Sequence, residues 1–145
     1  MYTVLRIVLA VIGGLLVGSM VNMGLIQLSA SVIPPPAGVD VTNMESLKSS
    51  MHLFEAKHFL FPFLAHSLGT LAGAWFAALI AKKYRLQIGL GIGGFFMLGG
   101  IINAFILPAP AWFIVLDLAL AYLPMAWLGV KLRGGKNGLP EISSE

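Results

Sequence analysis

Apolar residues run almost unbroken over four stretches, at about 4–30, 59–81, 86–107 and 111–130, separated by segments rich in polar residues or proline. None of the four alternates as a strand would. Each is near the ~20 residues that carry a helix across a ~30 Å hydrocarbon core, and four strands are too few to close a barrel. A backbone in lipid must then satisfy its hydrogen bonds inside helices. The pattern predicts an all-α integral membrane protein, an antiparallel four-helix bundle forming one domain over 1–133, followed by a disordered cytoplasmic tail over 134–145. The second and third connections are short, which sets neighbouring spans antiparallel.

The first connection, 31–57, is long. Pro34 to Pro36 favour a stiff extended segment, and Gly38 permits a turn. Thr42-Asn43-Met44-Glu45 matches a capping box with Thr42 as the cap, so a short amphipathic helix is expected over about 43–53 on the outer surface. Met44, Leu47, Met51 and Phe54 share one side of it, able to rest on the membrane or cover the bundle mouth. Ser49-Ser50 is a weak point, which leaves open whether this helix continues into the second span. The first span has a competing reading as a signal peptide, with Ser29-Ala30-Ser31 as the cleavage site. The apolar stretch from Ile7 to Ile26 exceeds the usual 7–15 residue core of such a signal, so the expectation is a retained span.

Composition agrees with lipid as the solvent: 58% of residues are hydrophobic and 10% charged, against about 25% charged in a soluble domain. The absence of cysteine excludes disulfides, thiolate metal sites and a cysteine nucleophile. The net charge of +3 gathers at Arg6, at Lys82, Lys83 and Arg85, and at Lys131, Arg133 and Lys136. This is the positive-inside pattern of a multi-pass protein of the bacterial inner (cytoplasmic) membrane with both termini cytoplasmic. Every basic cluster is explained by orientation, so no nucleic-acid partner is expected; the expected partners are the lipid bilayer and either further copies of the chain or a larger inner-membrane complex.

"GLGIGG" at 89–94 follows no strand and lies within a span, which removes the dinucleotide reading. Gly14 with Gly18, Gly69 with Gly73 and Gly89 with Gly93 are spaced as GxxxG pairs, the residues that let helix backbones approach in lipid.

Four strongly polar residues interrupt the spans: Asn22, His66, Asn103 and Asp117. At ~1.5 Å per residue they lie about 6 to 13 Å below the outer surface, in one band of depth. With ~100° per residue, Asn22, His66 and Asn103 share the glycine-bearing faces of their helices, and Asp117 shares a face with Pro110, Ala121 and Pro124. They therefore point inward. An ionised Asp facing lipid costs about 3 kcal/mol or more, and opposite His66 it can share a proton or form an ion pair. Interhelical hydrogen bonding alone is the plainer role for such residues; a ligand or proton pathway is the sharper one.

"HLFEAKHFLFPFLAH" at 52–66 holds all three histidines. On an unbroken helix His52, Glu55 and His66 form a stripe descending into the bundle, with His52, Glu55 and His58 at the cavity mouth. His52, Glu55 and His58 are also weak candidates for a divalent metal, although histidines six apart diverge by about 120° on a helix. No cofactor is predicted. Pro62 is expected to kink the second span and free the carbonyl of His58, and Pro124 to free that of Leu120.

The combination of "IPPPAGVDVTNMESLKSSMHLFEAKHFLFPFLAHSLGTLAGA" with "LPAPAWFIVLDL" resembles a family of uncharacterised small bacterial four-span inner-membrane proteins. It covers most of the chain and brings no activity with it. The functional expectation rests on the residues: an outward-facing polar cavity that binds a proton, cation or small polar ligand, transporter-like or sensing. The alternative is a non-catalytic membrane subunit or homo-oligomer that associates through glycine-rich helix faces. Enzyme chemistry has no evident nucleophile, and a b-type haem between two copies would need His66 from each.

Overall fold

The computed structural model describes residues 2–134, so the tail expected over 134–145 lies, beyond Gly134, outside the described residues. Within them the regular secondary structure is entirely helical, without strands: α1 Tyr2–Val32, α2 Met44–Ser50, α3 Leu60–Ile80, α4 Arg85–Ile106, α5 Ala111–Leu120 and α6 Leu123–Arg133. Two 3₁₀ turns, Met51–Leu53 and Ala56–Phe59, join α2 to α3. Four helical segments, Thr3–Val32, Ala56–Ile80, Arg85–Ile106 and Ala111–Arg133, are long and apolar enough to cross a membrane.

α3 is the hub. α1 packs along one side of it, α6 along another, and α4 fills in against both α3 and α6. Small residues make this possible, because in lipid the attraction between helices comes from close van der Waals contact. A Cβ at Gly73 would lie 2.6 Å from the Gly14 carbonyl oxygen, and one at Gly18 would lie 2.8 Å from that of Gly69. On the other side of α3, Gly93 gives room to Ala126. Ala10, Ala77, Ala81, Ile88 and Ile92 form a buried cluster on the α1 side, and Ala74, Ala78, Ala126 and Val130 form another on the α6 side. The turn between α3 and α4 is closed by Tyr84 in the left-handed region at φ 56°, a conformation unusual for a non-glycine residue.

Two local expectations are corrected, at Thr42 and at Pro62. Asn43, not Thr42, caps α2: its side chain accepts from the amides of Glu45 at 2.9 Å and Ser46 at 3.1 Å, while the Thr42 hydroxyl donates to Asp40 Oδ1 at 2.6 Å. The Thr42 amide donates to the same oxygen at 2.9 Å, so Thr42 belongs to a turn around Asp40 that ends one residue before the cap. Pro62 lies in the first turn of α3, where a missing N–H costs nothing, so it helps start the helix instead of kinking it. Pro124, also in the first turn of its helix, divides the fourth span into α5 and α6 with Ala121 and Tyr122 between them.

The helix of the long connection is not continuous with the second span. It ends before the extended residues Phe54 and Glu55, with ψ of 127° and 167°. Leu47, Met51 and Phe54 pack with Phe59 and Phe113 over the adjoining end of the bundle, whereas Met44 is exposed. Gly38 takes φ +81° in the turn before α2, as its lack of a Cβ allows.

Candidate functional site

The break in the fourth span sets the site. Asp117, in the last full turn of α5, is buried with its side chain 6% exposed, and His66, one and a half turns into α3, faces it. His66 Nδ1 lies 2.9 Å from both carboxylate oxygens. Tyr122 donates its hydroxyl to Asp117 Oδ2 at 2.9 Å, and its ring stacks on that of His66 with centroids 5.7 Å apart. The carboxylate thus meets a ring nitrogen and a phenol at once.

Tyr122 is the residue that the sequence reading missed. Five residues from Asp117, it would sit about 140° away around a continuous helix. The irregular backbone of Tyr122, φ −115° and ψ −83°, turns it back onto the carboxylate. The available signal was Pro124, which marks the place where the helix had to yield.

Two cavities meet at His66. The larger, about 260 Å³, lies under the long connection, and His66, Asp117 and Asn103 supply its polar floor. Its walls are mostly apolar, among them Ile26, Ile33, Phe59, Phe113 and Leu118, and His58 stands at its side. The second, about 220 Å³, lies between α1, α3 and α4 and is lined by Asn22, His66, Thr70, Asn103 and Tyr122, with Gly18 and Gly69 at one end. Thr70 is 2% exposed, and its hydroxyl has no partner among the described residues. Asn22 is half-buried and Asn103 exposed. Both border this inner cavity, but neither joins the hydrogen bonds around Asp117.

The mouth is arranged differently from the expected stripe. With the helix broken at Phe54–Glu55, His52 is exposed on the 3₁₀ turn and lines neither cavity. Glu55 and His58 cap each other: the Glu55 amide donates to His58 Nδ1 at 2.9 Å, and the Glu55 side chain accepts from the His58 amide. The Glu55 carboxylate also pairs with Lys57 at 3.1 Å. Both residues border a third, open hollow beneath Pro34–Pro36. His52, Glu55 and His58 therefore do not converge as a ligand set, and among the described residues no three His, Cys, Asp or Glu side chains do.

In chemical terms the pair resembles the acid–base half of a nucleophilic site, but the hydroxyl adjacent to His66 in sequence is committed elsewhere. Ser67 donates to the Phe63 carbonyl at 2.7 Å. The arrangement can hold a hydrogen-bonding group at His66 and take up or release a proton there. No family model, curated protein or solved structure matches the chain.

Proposed function

We propose that the chain is a small multi-pass protein of the bacterial inner membrane whose outer cavity binds a small molecule or exchanges a proton at His66, Asp117 and Tyr122. The observation that carries this reading is the buried His66–Asp117 pair at the floor of an otherwise apolar cavity. A carboxylate in a membrane span is an expensive way to obtain structural hydrogen bonds, and ligand sites take this form, apolar walls with a few convergent polar groups. Arg6, Arg85, Lys131 and Arg133 fall at the helix ends away from the cavity, which by the positive-inside rule directs the cavity outward.

Reconstitution tests the reading. In proteoliposomes the wild-type protein passes protons down an imposed gradient or binds a ligand saturably, and a folded Asp117→Asn, His66→Gln double variant does neither. Flux equal to that of empty liposomes, together with no ligand binding, removes it. Orientation is checked separately by single cysteines in this cysteine-free chain: Gly38→Cys, Lys48→Cys and Ala109→Cys react with an impermeant reagent from outside, and Tyr84→Cys does not.

The second reading, a subunit that associates through glycine faces, has its support on α4. The glycines at 14, 18, 69, 73, 89 and 93 are already in contact within the chain, whereas Gly91 and Gly94 meet open space beside exposed Phe95, Leu98 and Ile102. Cross-linking at Gly91→Cys in native membranes distinguishes a paired face from a lipid-facing one.

A further inference from the structure

The cavity floor also defines what kind of head group it accepts. Asp117 and His66 lie within spanning helices, and the one other ionisable side chain bordering the large cavity is His58, whose Nδ1 already accepts the Glu55 amide and is therefore unprotonated. With no further charge nearby, the low-dielectric surroundings favour a pair of zero net charge. With the Tyr122 hydroxyl donating to Asp117 Oδ2, two proton arrangements give zero with the hydrogen of the contact paired between His66 Nδ1 and Asp117. In one, an imidazolium faces a carboxylate, and both ring nitrogens carry hydrogen. In the other, the Asp117 carboxyl donates to Nδ1, and the single ring hydrogen sits on Nε2. Tyr122 donates to Asp117 Oδ2 in either case.

Both arrangements leave Nε2 bearing a hydrogen. That nitrogen has no partner among the described residues, and it is not among their buried unsatisfied atoms, which are Thr70 Oγ1 and Arg133 Nε. It is thus an accessible donor, on a ring that borders both the large cavity and the inner one. Asn103, on the same floor, adds a second donor through its amide. The walls above are aromatic and aliphatic, and an anion placed here would restore the net charge that the pair avoids.

We propose that the large cavity takes an uncharged, apolar molecule bearing a carbonyl oxygen, which accepts a hydrogen bond from His66 Nε2. This rests on the reading of the cavity as a ligand site and names the class of ligand. The volume of about 260 Å³ suits one or two rings or a short branched chain, not a whole lipid. Asp117 acts as a positioning residue: it turns the ring and holds the proton count.

The test compares ligands on the intact protein in nanodiscs. Trp112 packs against Phe59 and Phe113, with ring centroids 5.7 and 5.9 Å away, and both of those line the cavity. Trp75→Phe with Trp127→Phe leaves Trp112 as the sole tryptophan reporter. Its quenching is followed with 2-acetylnaphthalene, with the isosteric 2-isopropenylnaphthalene and with 2-naphthol, each corrected for partition into empty nanodiscs. The ketone is expected to bind saturably and about tenfold more tightly than the alkene, the worth of one hydrogen bond from a polarised donor. In a folded His66→Leu, Asp117→Leu variant that preference disappears while apolar binding stays.

Equal affinity for ketone and alkene overturns the carbonyl assignment and leaves the ligand cavity standing. Preference for 2-naphthol overturns it as well, because it shows Nε2 acting as an acceptor. Absence of saturable binding by any of the three, with proton flux retained in liposomes, removes the assignment alone; with flux also absent, the underlying reading falls with it. Since the ligand series is measured on a chain with the floor intact, a floor variant that does not fold leaves the decision unaffected.

Discussion

The half of the bundle near the α3–α4 turn and the half under the long connection are built from the same helices, yet one is dry and the other holds both main cavities. Near the turn, Ala10, Ala74, Ala77, Ala78 and Ala81 are all at most 1% exposed, and Ile88 and Ile92 fill what the alanines leave. Toward the connection, Asn22, His66, Thr70 and Asn103 border an open space between α1, α3 and α4, with Gly18 and Gly69 in its lining. Helices that touch at one level and are not strictly parallel must diverge beyond it. Large apolar side chains fill the divergence in one half; in the other it is only roofed, by Leu47, Met51 and Phe54. Close packing and a cavity are therefore decided by which residues follow the glycines.

The contrast is broken most severely at the pair. Removing one partner leaves the other buried and uncompensated, so Asp117→Ala is expected to lose about 3 kcal/mol or more, read as a fall in unfolding midpoint in detergent. Asp117→Asn with His66→Gln should recover much of the loss of the worse single variant; strict additivity would show that the two residues are not coupled. In the dry half, Gly73→Leu forces a side chain against the Gly14 carbonyl and is expected to cost about 2 kcal/mol, whereas Gly91→Leu, facing open space, should change the unfolding midpoint of the isolated chain little.

The same enlargement then compares the two halves directly. Ala77→Leu overpacks the dry core and should cost about 1 to 2 kcal/mol. Ala104→Leu enters the large cavity and should leave the midpoint within about 0.5 kcal/mol while reducing ligand binding. Equal costs would show that the cavity closes in solution.

A smaller effect is expected at the roof. His58→Ala removes the acceptor of the Glu55 amide, and the loss of a cap is worth about 1 kcal/mol; it should appear as faster hydrogen exchange over 54–59 with the dry half unchanged. The smallest concerns Asp40, which Thr42 holds below its ordinary value of 3.8 by side-chain and backbone hydrogen bonds. A carboxyl with a depressed native value supports its turn at pH above the unfolded value, and that support is lost as pH falls from about 3.8 through the lower native value. The Thr42 amide resonance, followed by titration in that window, should shift.

Particular residues show how far the sequence could be read. His66 and Asp117 were legible because depth and helical phase are both local counts along a chain, and each places the two residues inward at one level. Tyr122 was not, since its phase on an ideal helix points it away. The cap of α2 was assigned one residue early because Thr42 and Asn43 are both good caps; the turn in which the Thr42 amide and hydroxyl both donate to Asp40 places the helix start one residue later. His52 was drawn into the site by an assumed continuous helix, and the extended backbone at Phe54–Glu55 removed it.

The sequence by itself determined the number of helices that can span a membrane, the end of the bundle at which basic residues collect, and the band of depth that holds the polar residues, because each follows from composition and rise per residue. Only the tertiary structure decided where the helices break, that Tyr122 completes the Asp117 cluster, and that His66 stands between two cavities. These depend on backbone torsions at two short junctions and on the separation of helices distant in sequence, for which no count along one chain gives a value.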